Sequence, residues 1–320
     1  MLNKTILEDF LVENERGFYC VYGDFYVDPK YPVSKAVISH AHGDHAVPGH
    51  QSIYATKNTI AFMQHRFPKQ VASSYVEINY DERFIIGDVV LYFIPAGHIL
   101  GSAQIMMEYN GVRYLYTGDY KLQEDSTCEP LTYVETDVLI TETTFADPEI
   151  LHPDPIEEIK KLNSTSLHIM LGCYALGKAQ RITHLINKYC PQKKVYTHHN
   201  IAPIHRIYDS NGMVKLDYEI YNRKALKEGQ DKIYLVPPMT FNNYFRAKNV
   251  IRVFASGWKR LQNYNDMTLF ISDHIDWQDL ITYIDNANPT EIWTVHGEGQ
   301  HLKNHYVGKI KVRDILKSPK

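Results

Sequence analysis

Residues 39 to 50 read SHAHGDHAVPGH and place four histidines and an aspartate directly behind the apolar run Ala36-Val37-Ile38. The apolar run predicts a short buried strand, and a buried strand that ends in imidazoles delivers them where every ring nitrogen needs a partner. In extended chain, residues i and i+2 point the same way, so His40 and His42 can close on one ion. Gly43 then permits a tight turn that leaves Asp44 and His45 facing a second position. Histidine and carboxylate together suit Zn²⁺, and a catalytic zinc takes three protein ligands while keeping one place open. One turn cannot complete two such positions. The fold must therefore bring more ligands to this loop from distant parts of the chain, and that requirement limits which architectures are open to it.

Candidates stand at the right kind of place. His98 in IPAGHILGSAQ, Asp119 in YLYTGDYK and His296 in EIWTVHGEGQ each end a predicted strand beside a glycine. Up to about residue 145 the pattern is mostly β, with a helix over NTIAFMQHRF and a hairpin turn at Tyr109-Asn110-Gly111-Val112. The texture then changes. The segments DPIEEIKKL, LHIMLG, GKAQRITHLINKY and KKVYTH alternate as helices and parallel strands do. Beyond about residue 262, MTLFISDH and EIWTVHG again carry polar residues at strand ends. The expected organisation is a first domain in two parts, residues 1–146 and 263–320, interrupted by an inserted domain at 147–262.

Charge follows the same division. The chain carries a net charge of −3, yet residues 147–262 hold 18 Lys+Arg against 10 Asp+Glu, which leaves 16 against 27 for the remainder. A basic insertion within an acidic chain points to one part that meets a polyanion and another whose carboxylates do chemistry. No P-loop motif occurs, so nucleotide use by that device is not indicated. No apolar run is long enough to span a membrane, and the first twenty residues mix acids and bases, so the chain is expected to be cytoplasmic. Its four cysteines, Cys20, Cys128, Cys173 and Cys190, are widely spaced and expected to be free thiols.

HAHGDH with downstream His98 and Asp119 resembles the metallo-β-lactamase fold. Further motifs narrow the likeness: TETTF with Glu142, SDHIDW with His274 and TVHGE with His296 resemble the three extra motifs of the β-CASP branch, and YALGKAQRI resembles a segment of its inserted domain. Within that branch, GDYKLQEDSTCEP, ASGWKRL and SDHIDW are most similar to bacterial DNA ligase-associated exonucleases. The resemblance implies an αββα sandwich with an inserted α/β cap, acting as a nucleic-acid hydrolase. It implies two Zn²⁺, with Mn²⁺ as an alternative. His40, His42 and His98 would hold one ion, Asp44, His45 and His296 the other, and Asp119 would bridge them.

On the same basis Asp44 also orients or deprotonates the attacking water. His274 protonates the leaving group or meets a phosphate oxygen, with Glu142 fixing its tautomer, and Asp28 orients the ligand loop from behind. Phosphate contacts are expected from the insertion: Lys178 and Arg181 near a helix start at Gly177, and Ser256, Gly257 and Lys259 in ASGWKR, with Tyr174 and Trp258 available to stack on bases. The expected substrate is DNA, cut by an exonuclease in DNA repair, with a DNA ligase or helicase as partner and a monomer or simple homodimer as the assembly. His296 matches the RNA-processing pattern, which keeps an RNA endonuclease or 5′-exonuclease as the alternative. A small-molecule metallo-hydrolase is disfavoured because a small ester needs no charged insertion of this size.

Overall fold

The computed structural model describes residues 4–317 except 71, 212, 223, 225–228, 244–248, 264 and 298. The chain divides into two compact units, one formed by residues up to Glu124, Cys128–Leu151 and those from His274 onward, the other by Asp125–Thr127 and His152–Asp273.

Two seven-stranded sheets make the first unit. The first sheet contains β1 (Leu11–Asn14), β2 (Gly17–Cys20), β3 (Phe25–Val27), β4 (Lys35–Val37), β5 (Ser52–Ala55) and β6 (Ser74–Glu77) in sequence order, with β20 (Leu316–Lys317) beside β1. The second contains the meander β7 (Phe84–Ile86), β8 (Val89–Pro95), β9 (Ala103–Tyr109) and β10 (Val112–Tyr116), then β11 (Val138–Thr143), β18 (Glu291–Gly297) and β19 (Lys311–Asp314). The β9–β10 hairpin turns at Asn110 and Gly111, both with positive φ (47° and 79°), as the tight turn read from the sequence requires.

Alternation decides the layers. Phe18, Phe25, Val27 and Val37 of the first sheet share one core with Leu91, Phe93, Ile105, Met107, Tyr114, Tyr116, Ile140 and Trp293 of the second. The opposite faces are covered by helices. Ile60 and Met63 of α1 (Lys57–Arg66) pack on Ala36, Ile38 and Ile53, while Leu280, Tyr283 and Ile284 of α6 (Trp277–Ala287) and Leu302 of α7 (Gln300–His305) pack on Ile94, Met106, Leu115 and Ile292. Each fully buried side chain of this size contributes roughly 1.5–3 kcal/mol, so the central core dominates the unit's stability. The result is the expected αββα sandwich.

The second unit is a parallel sheet in the order β14-β13-β15-β12-β16-β17, with β12 at His168–Gly172, β13 at Lys194–Thr197, β14 at Glu219–Ile220, β15 at Lys232–Val236, β16 at Val250–Ala255 and β17 at Met267–Leu269. On one face lie α2 (Pro155–Lys160) and α3 (Lys178–Tyr189) over Ile169, Leu171, Ile233 and Val253, and α4 (Ala202–Ser210) joins α3 through His205. On the other, Phe241 of α5 (Pro238–Asn243) packs on Met170 and Phe254. Strand β17 differs from the sequence reading. MTLF was grouped with the returning first domain, but it pairs in parallel with β16, so the second unit runs on to Asp273. Short apolar strands carry no mark of which sheet they will join.

Candidate metal centre

The topology explains why the site residues meet. Strands β10, β11 and β18 are parallel neighbours, and β8 runs the same way because two antiparallel steps separate it from β10. Their carboxyl ends therefore share one edge of the sheet. That edge carries His98 after β8, Asp119 after β10, Glu142 in β11 and His296 in β18. The loop after β4 brings His40, His42 and His45 to the same place. Gly118, just before Asp119, has φ of 57° and lies so close to Ser39 that a Cβ would stand 2.9 Å from it. The two sheets thus approach through a position that only glycine fits.

Asp119 is the centre of the cluster. Its Oδ2 lies 3.4 Å from His45 Nε2, 3.5 Å from His40 Nε2, and 3.8 Å from both His98 Nε2 and His274 Nδ1. His98 Nε2 is 3.0 Å from His42 Nδ1. One atom each from His40, His42, His98 and Asp119 falls within a sphere of mutual distances no larger than 4.8 Å.

Asp28 orients this set from behind. Its Oδ1 accepts the Ser39 N–H at 2.7 Å, and its Oδ2 accepts the Ser39 hydroxyl at 2.5 Å, His45 Nδ1–H at 2.8 Å and the Tyr116 hydroxyl at 3.0 Å. A carboxylate so occupied is a poor direct ligand but fixes the tautomer of His45, leaving Nε2 directed at Asp119. The Ser39 proton is spent on Asp28, so His40 Nδ1–H must donate to Ser39 Oγ at 3.0 Å. The bare Nε2 of His40 is then a buried lone pair with no hydrogen-bond partner. A divalent cation between that lone pair, the other imidazoles and the Asp119 carboxylate satisfies all of them. The donor set fits zinc.

Electrostatics agree. Burial, then the charge of His45, pushes His40 well below the usual imidazole range, and burial, then His42, does the same to His98. Burial opposes charge on both His45 and Asp119, but each is the other's partner. His45 is held well up by Asp119 and Asp28, and Asp119 well down by His45 and His274. His40 and His98 are therefore neutral beside an ionised Asp119, the protonation states a metal requires, whereas His45 carries a proton that a bound metal would displace from Nε2.

Glu142 is fully buried and accepts Tyr120 N–H at 3.1 Å and the Thr144 hydroxyl at 2.6 Å. Its remaining capacity goes to His274 Nδ1, 2.9 and 3.2 Å from its two oxygens. A carboxylate partner makes Nδ1 the protonated nitrogen. The His274 side chain is 28% exposed.

Asp44 stands at the rim, its side chain 79% exposed and its Oδ2 3.9 Å from His45 Nε2. His296 adopts positive φ (51°), a strained setting for a non-glycine residue, and its ring packs against Phe18 and 5.2 Å from the His45 ring. That packing, then the charge of His45, lowers its pKa. The fourth histidine of the opening motif does something else: His50 accepts the Val33 N–H at 3.2 Å and is pushed down to about 4 by burial.

The sequence reading missed three supporting groups. Ser39 and Tyr116 complete the Asp28 network, and the buried Lys121 donates to the carbonyls of Gly97 and His98 at 2.5 Å each, gripping the loop that carries His98. Lys121 lies two residues after Asp119, a proximity that could have drawn notice.

Two expected phosphate contacts need correction. Lys178 and Arg181 are buried in the second unit, where Asp273 Oδ2 lies 3.6 Å from Lys178 Nζ. Arg181 is 3.2 Å from Asp273 Oδ1 and 3.6 Å from Asp125, and donates to Ser272 O at 2.6 Å. Desolvated and internally paired, they hold that unit together instead of facing a ligand. The α3 start is likewise closed on itself, since Gly177 N–H donates to Gln180 Oε1. Ser256 is buried and its hydroxyl accepts the Trp258 N–H; Gly257 is so close to Ser272 and His152 that a side chain would collide; Lys259 is exposed. Tyr174 is exposed with Lys178 beneath its ring, and Trp258 is half-buried under Arg260.

Comparison with known proteins places these observations. The family described as Zn-dependent metallo-hydrolase RNA specificity domain matches residues 267–307, which include His274 and His296. The chain is 27% identical over 303 residues to a probable DNA ligase of Opitutus terrae, covering 89% of this chain and 29% of that protein. It is 33% identical over 197 residues to an RNase J-like protein of Methanocaldococcus jannaschii, covering 53% of this chain and 47% of that one. It is 31% identical over 120 residues to endoribonuclease ysh1 of Emericella nidulans, covering 35% and 14%. These alignments cover less than half the length of each relative. A crystal structure of a protein of unknown function from Enterococcus faecalis V583 shares the fold, with a TM-score of 0.61 at 17% identity over 89% of this chain and 79% of that one. Among the described residues no helix is long and apolar enough to cross a membrane. With the sandwich, the histidine and carboxylate cluster on its edge and these relatives in agreement, the chain belongs to the metallo-β-lactamase superfamily, in its β-CASP nuclease branch.

Proposed function

We propose that this protein is a two-zinc phosphodiesterase that degrades DNA from an end. The observation that carries the reading is the single oxygen of Asp119 surrounded by His40, His45, His98 and His274 at 3.4–3.8 Å. In this reading His40, His42 and His98 would hold one ion, Asp44, His45 and His296 would hold the other, and Asp119 would serve both. Zinc ions at these residues would supply Lewis-acid polarisation of a phosphodiester and a water acidic enough to ionise near neutral pH.

The chain's own residues do the rest. Asp44, exposed beside His45, orients the attacking water or takes its proton. Glu142 keeps a proton on His274 Nδ1, so Nε2 is the atom that protonates the leaving oxygen or meets a phosphate oxygen. Asp28 fixes His45, and Ser39 fixes His40. Lys259, with Ser256 and Gly257 beside it, is the contact to the sugar-phosphate backbone retained for the inserted unit. Such contacts are blind to base identity, so sequence preference is weak.

The choice of DNA is supported by the similarity to a probable DNA ligase over 89% of this chain, where the RNase-named relatives align over 54% or less. It also supports a role beside a ligase. A second reading, RNA processing, is favoured by the RNA specificity domain match at 267–307 and the RNase J-like relative. The test is digestion of end-labelled DNA and RNA oligonucleotides of one sequence by chelator-stripped protein, with Zn²⁺ or Mn²⁺ restored. A metal-dependent ladder from DNA is expected. Preferential cutting of RNA selects the second reading, and no cutting of either overturns the nuclease assignment.

A further inference from the structure

We infer that Arg66 is a phosphate-binding residue of the metal site, supplied by the first unit itself. The inference rests on the nuclease reading and names a residue that the family motifs do not include. With Lys178 and Arg181 turned inward, a cation able to receive a phosphodiester must be sought nearer the ligands, and the last turn of α1 provides one.

Arg66 Nη1 donates to the carbonyl of Ala41, the residue between His40 and His42, at 3.1 Å. An edge of its guanidinium is turned to Gly43, so close that a Cβ there would stand 2.3 Å from Nη2 and 3.3 Å from Nη1. It is close enough to Asp44 to feel that carboxylate's charge. The edge of the guanidinium thus meets the turn that carries His42, Asp44 and His45 at Ala41 and Gly43. Arg66 is exposed and, among the described residues, makes no ion pair; its further ring contact is with Phe67, 5.3 Å from the centroid. One of its five N–H donors is spent on Ala41 and the rest of the fork remains for an oxyanion, the geometry in which arginine grips phosphate.

The fold holds this arginine firmly. At the other end of α1, Thr56 and Thr59 both donate to Gly101 O, at 2.6 and 3.0 Å, in the loop that follows His98. The helix is therefore tied at its start to the loop that follows His98, and through Arg66 itself at its end to the turn between His40 and His42. Gly43 has the complementary role of leaving room for it. An alanine there would meet only the end of a flexible side chain, so the chain would still fold while the arginine is pushed aside.

The experiment compares wild type with Arg66→Gln, Arg66→Lys and Gly43→Ala. It reads binding of a fluorescent single-stranded DNA with cleavage-resistant linkages, kcat and KM on the cleavable strand, bound metal and Tm. Arg66→Gln is expected to weaken binding and raise KM by about tenfold or more, as loss of a hydrogen bond to a charged group does. It should also reduce the slope of log K against log salt by about 0.7, one phosphate contact on a single strand. Metal content and Tm stay at the wild-type level. Arg66→Lys keeps the salt slope but recovers only part of the affinity, and Gly43→Ala weakens binding in the same direction as Arg66→Gln. Binding lost only in proportion to bound metal would make Arg66 a strut for the ligand loop and overturn the inference. So would unchanged binding and KM in Arg66→Gln while wild type binds and cuts. Wild-type protein that neither binds nor cuts would overturn the nuclease reading and this inference together.

Discussion

Replacing His274 by asparagine separates chemistry from metal binding. In the structure Nδ1 of His274 is committed to Glu142 at 2.9 Å and lies 3.8 Å from Asp119, while Nε2 carries the proposed proton transfer. Asparagine keeps an amide that can still donate to Glu142 but has nothing in place of Nε2. Positioned acid–base groups contribute about 10²–10⁴ in rate, or roughly 3–5 kcal/mol of barrier at 1.36 kcal/mol per tenfold, so turnover should fall by that factor. Stability should change by no more than about 1.5–3 kcal/mol, the worth of a hydrogen bond to a charged group, because Glu142 keeps the Tyr120 N–H and the Thr144 hydroxyl. Steady-state cleavage of a labelled oligonucleotide measured beside elemental analysis of the same preparation reads both. Turnover lost with the zinc count intact is the expected outcome. Zinc lost in step with turnover would refute the reasoning and make His274 a ligand, an arrangement that the close grouping of Asp119, Glu142 and His274 makes geometrically open.

Four further outcomes are expected. His296→Ala should deplete one of two ions, and an unchanged zinc count would remove His296 from the ligand set. Lys121→Met should lower Tm and speed loss of metal to a chelator, because two buried carbonyls lose their lysine donor at about 1–3 kcal/mol each; unaltered chelator resistance would contradict its role in holding the His98 loop. Arg181→Ala should destabilise the second unit by about 3–5 kcal/mol, since Asp273 and Asp125 are left buried without it, whereas Lys259→Ala should leave unfolding unchanged and weaken DNA binding; equal stability of the two variants would restore Arg181 to the surface. His205 is pushed down to about 3 by burial and accepts Gln180 Nε2–H at Nδ1, so the folded state stays neutral where the unfolded chain takes up a proton. Its contribution is complete above the ordinary imidazole pKa of 6.5 and is lost as pH falls from there toward 3, at up to about 1.4 kcal/mol per unit. Urea unfolding of the second unit should therefore be flatter with pH in His205→Gln, and identical profiles would contradict this.

Much of this architecture was legible because its signals are local. The alternation in β8–β10, the Asn110-Gly111 turn and the helix over residues 57–66 depend on neighbours in sequence. So does the strand–helix–strand texture of β12, α3 and β13. The candidate ligands His98, Asp119 and His296 were readable for a related reason: each lies at or just after a strand end, and parallel strands put their ends together. What was not legible depends on distant partners. Lys178 and Arg181 read as surface cations because their counter-charge, Asp273, stands 92 residues beyond Arg181. Strand β17 was assigned to the wrong side of the boundary because its apolar pattern fits either sheet. Arg66 belongs to the same class. It looks like an ordinary helix-terminal arginine until the fold brings it against Gly43.

Titration of chelator-stripped protein with Zn²⁺, in wild type and Asp119→Asn, tests the central claim most directly. If Asp119 Oδ2 is shared by both positions, wild type takes up two tight equivalents per chain and Asp119→Asn loses tight binding at both. Fewer than two equivalents in wild type, or two retained in Asp119→Asn, would contradict a two-ion centre built around that carboxylate.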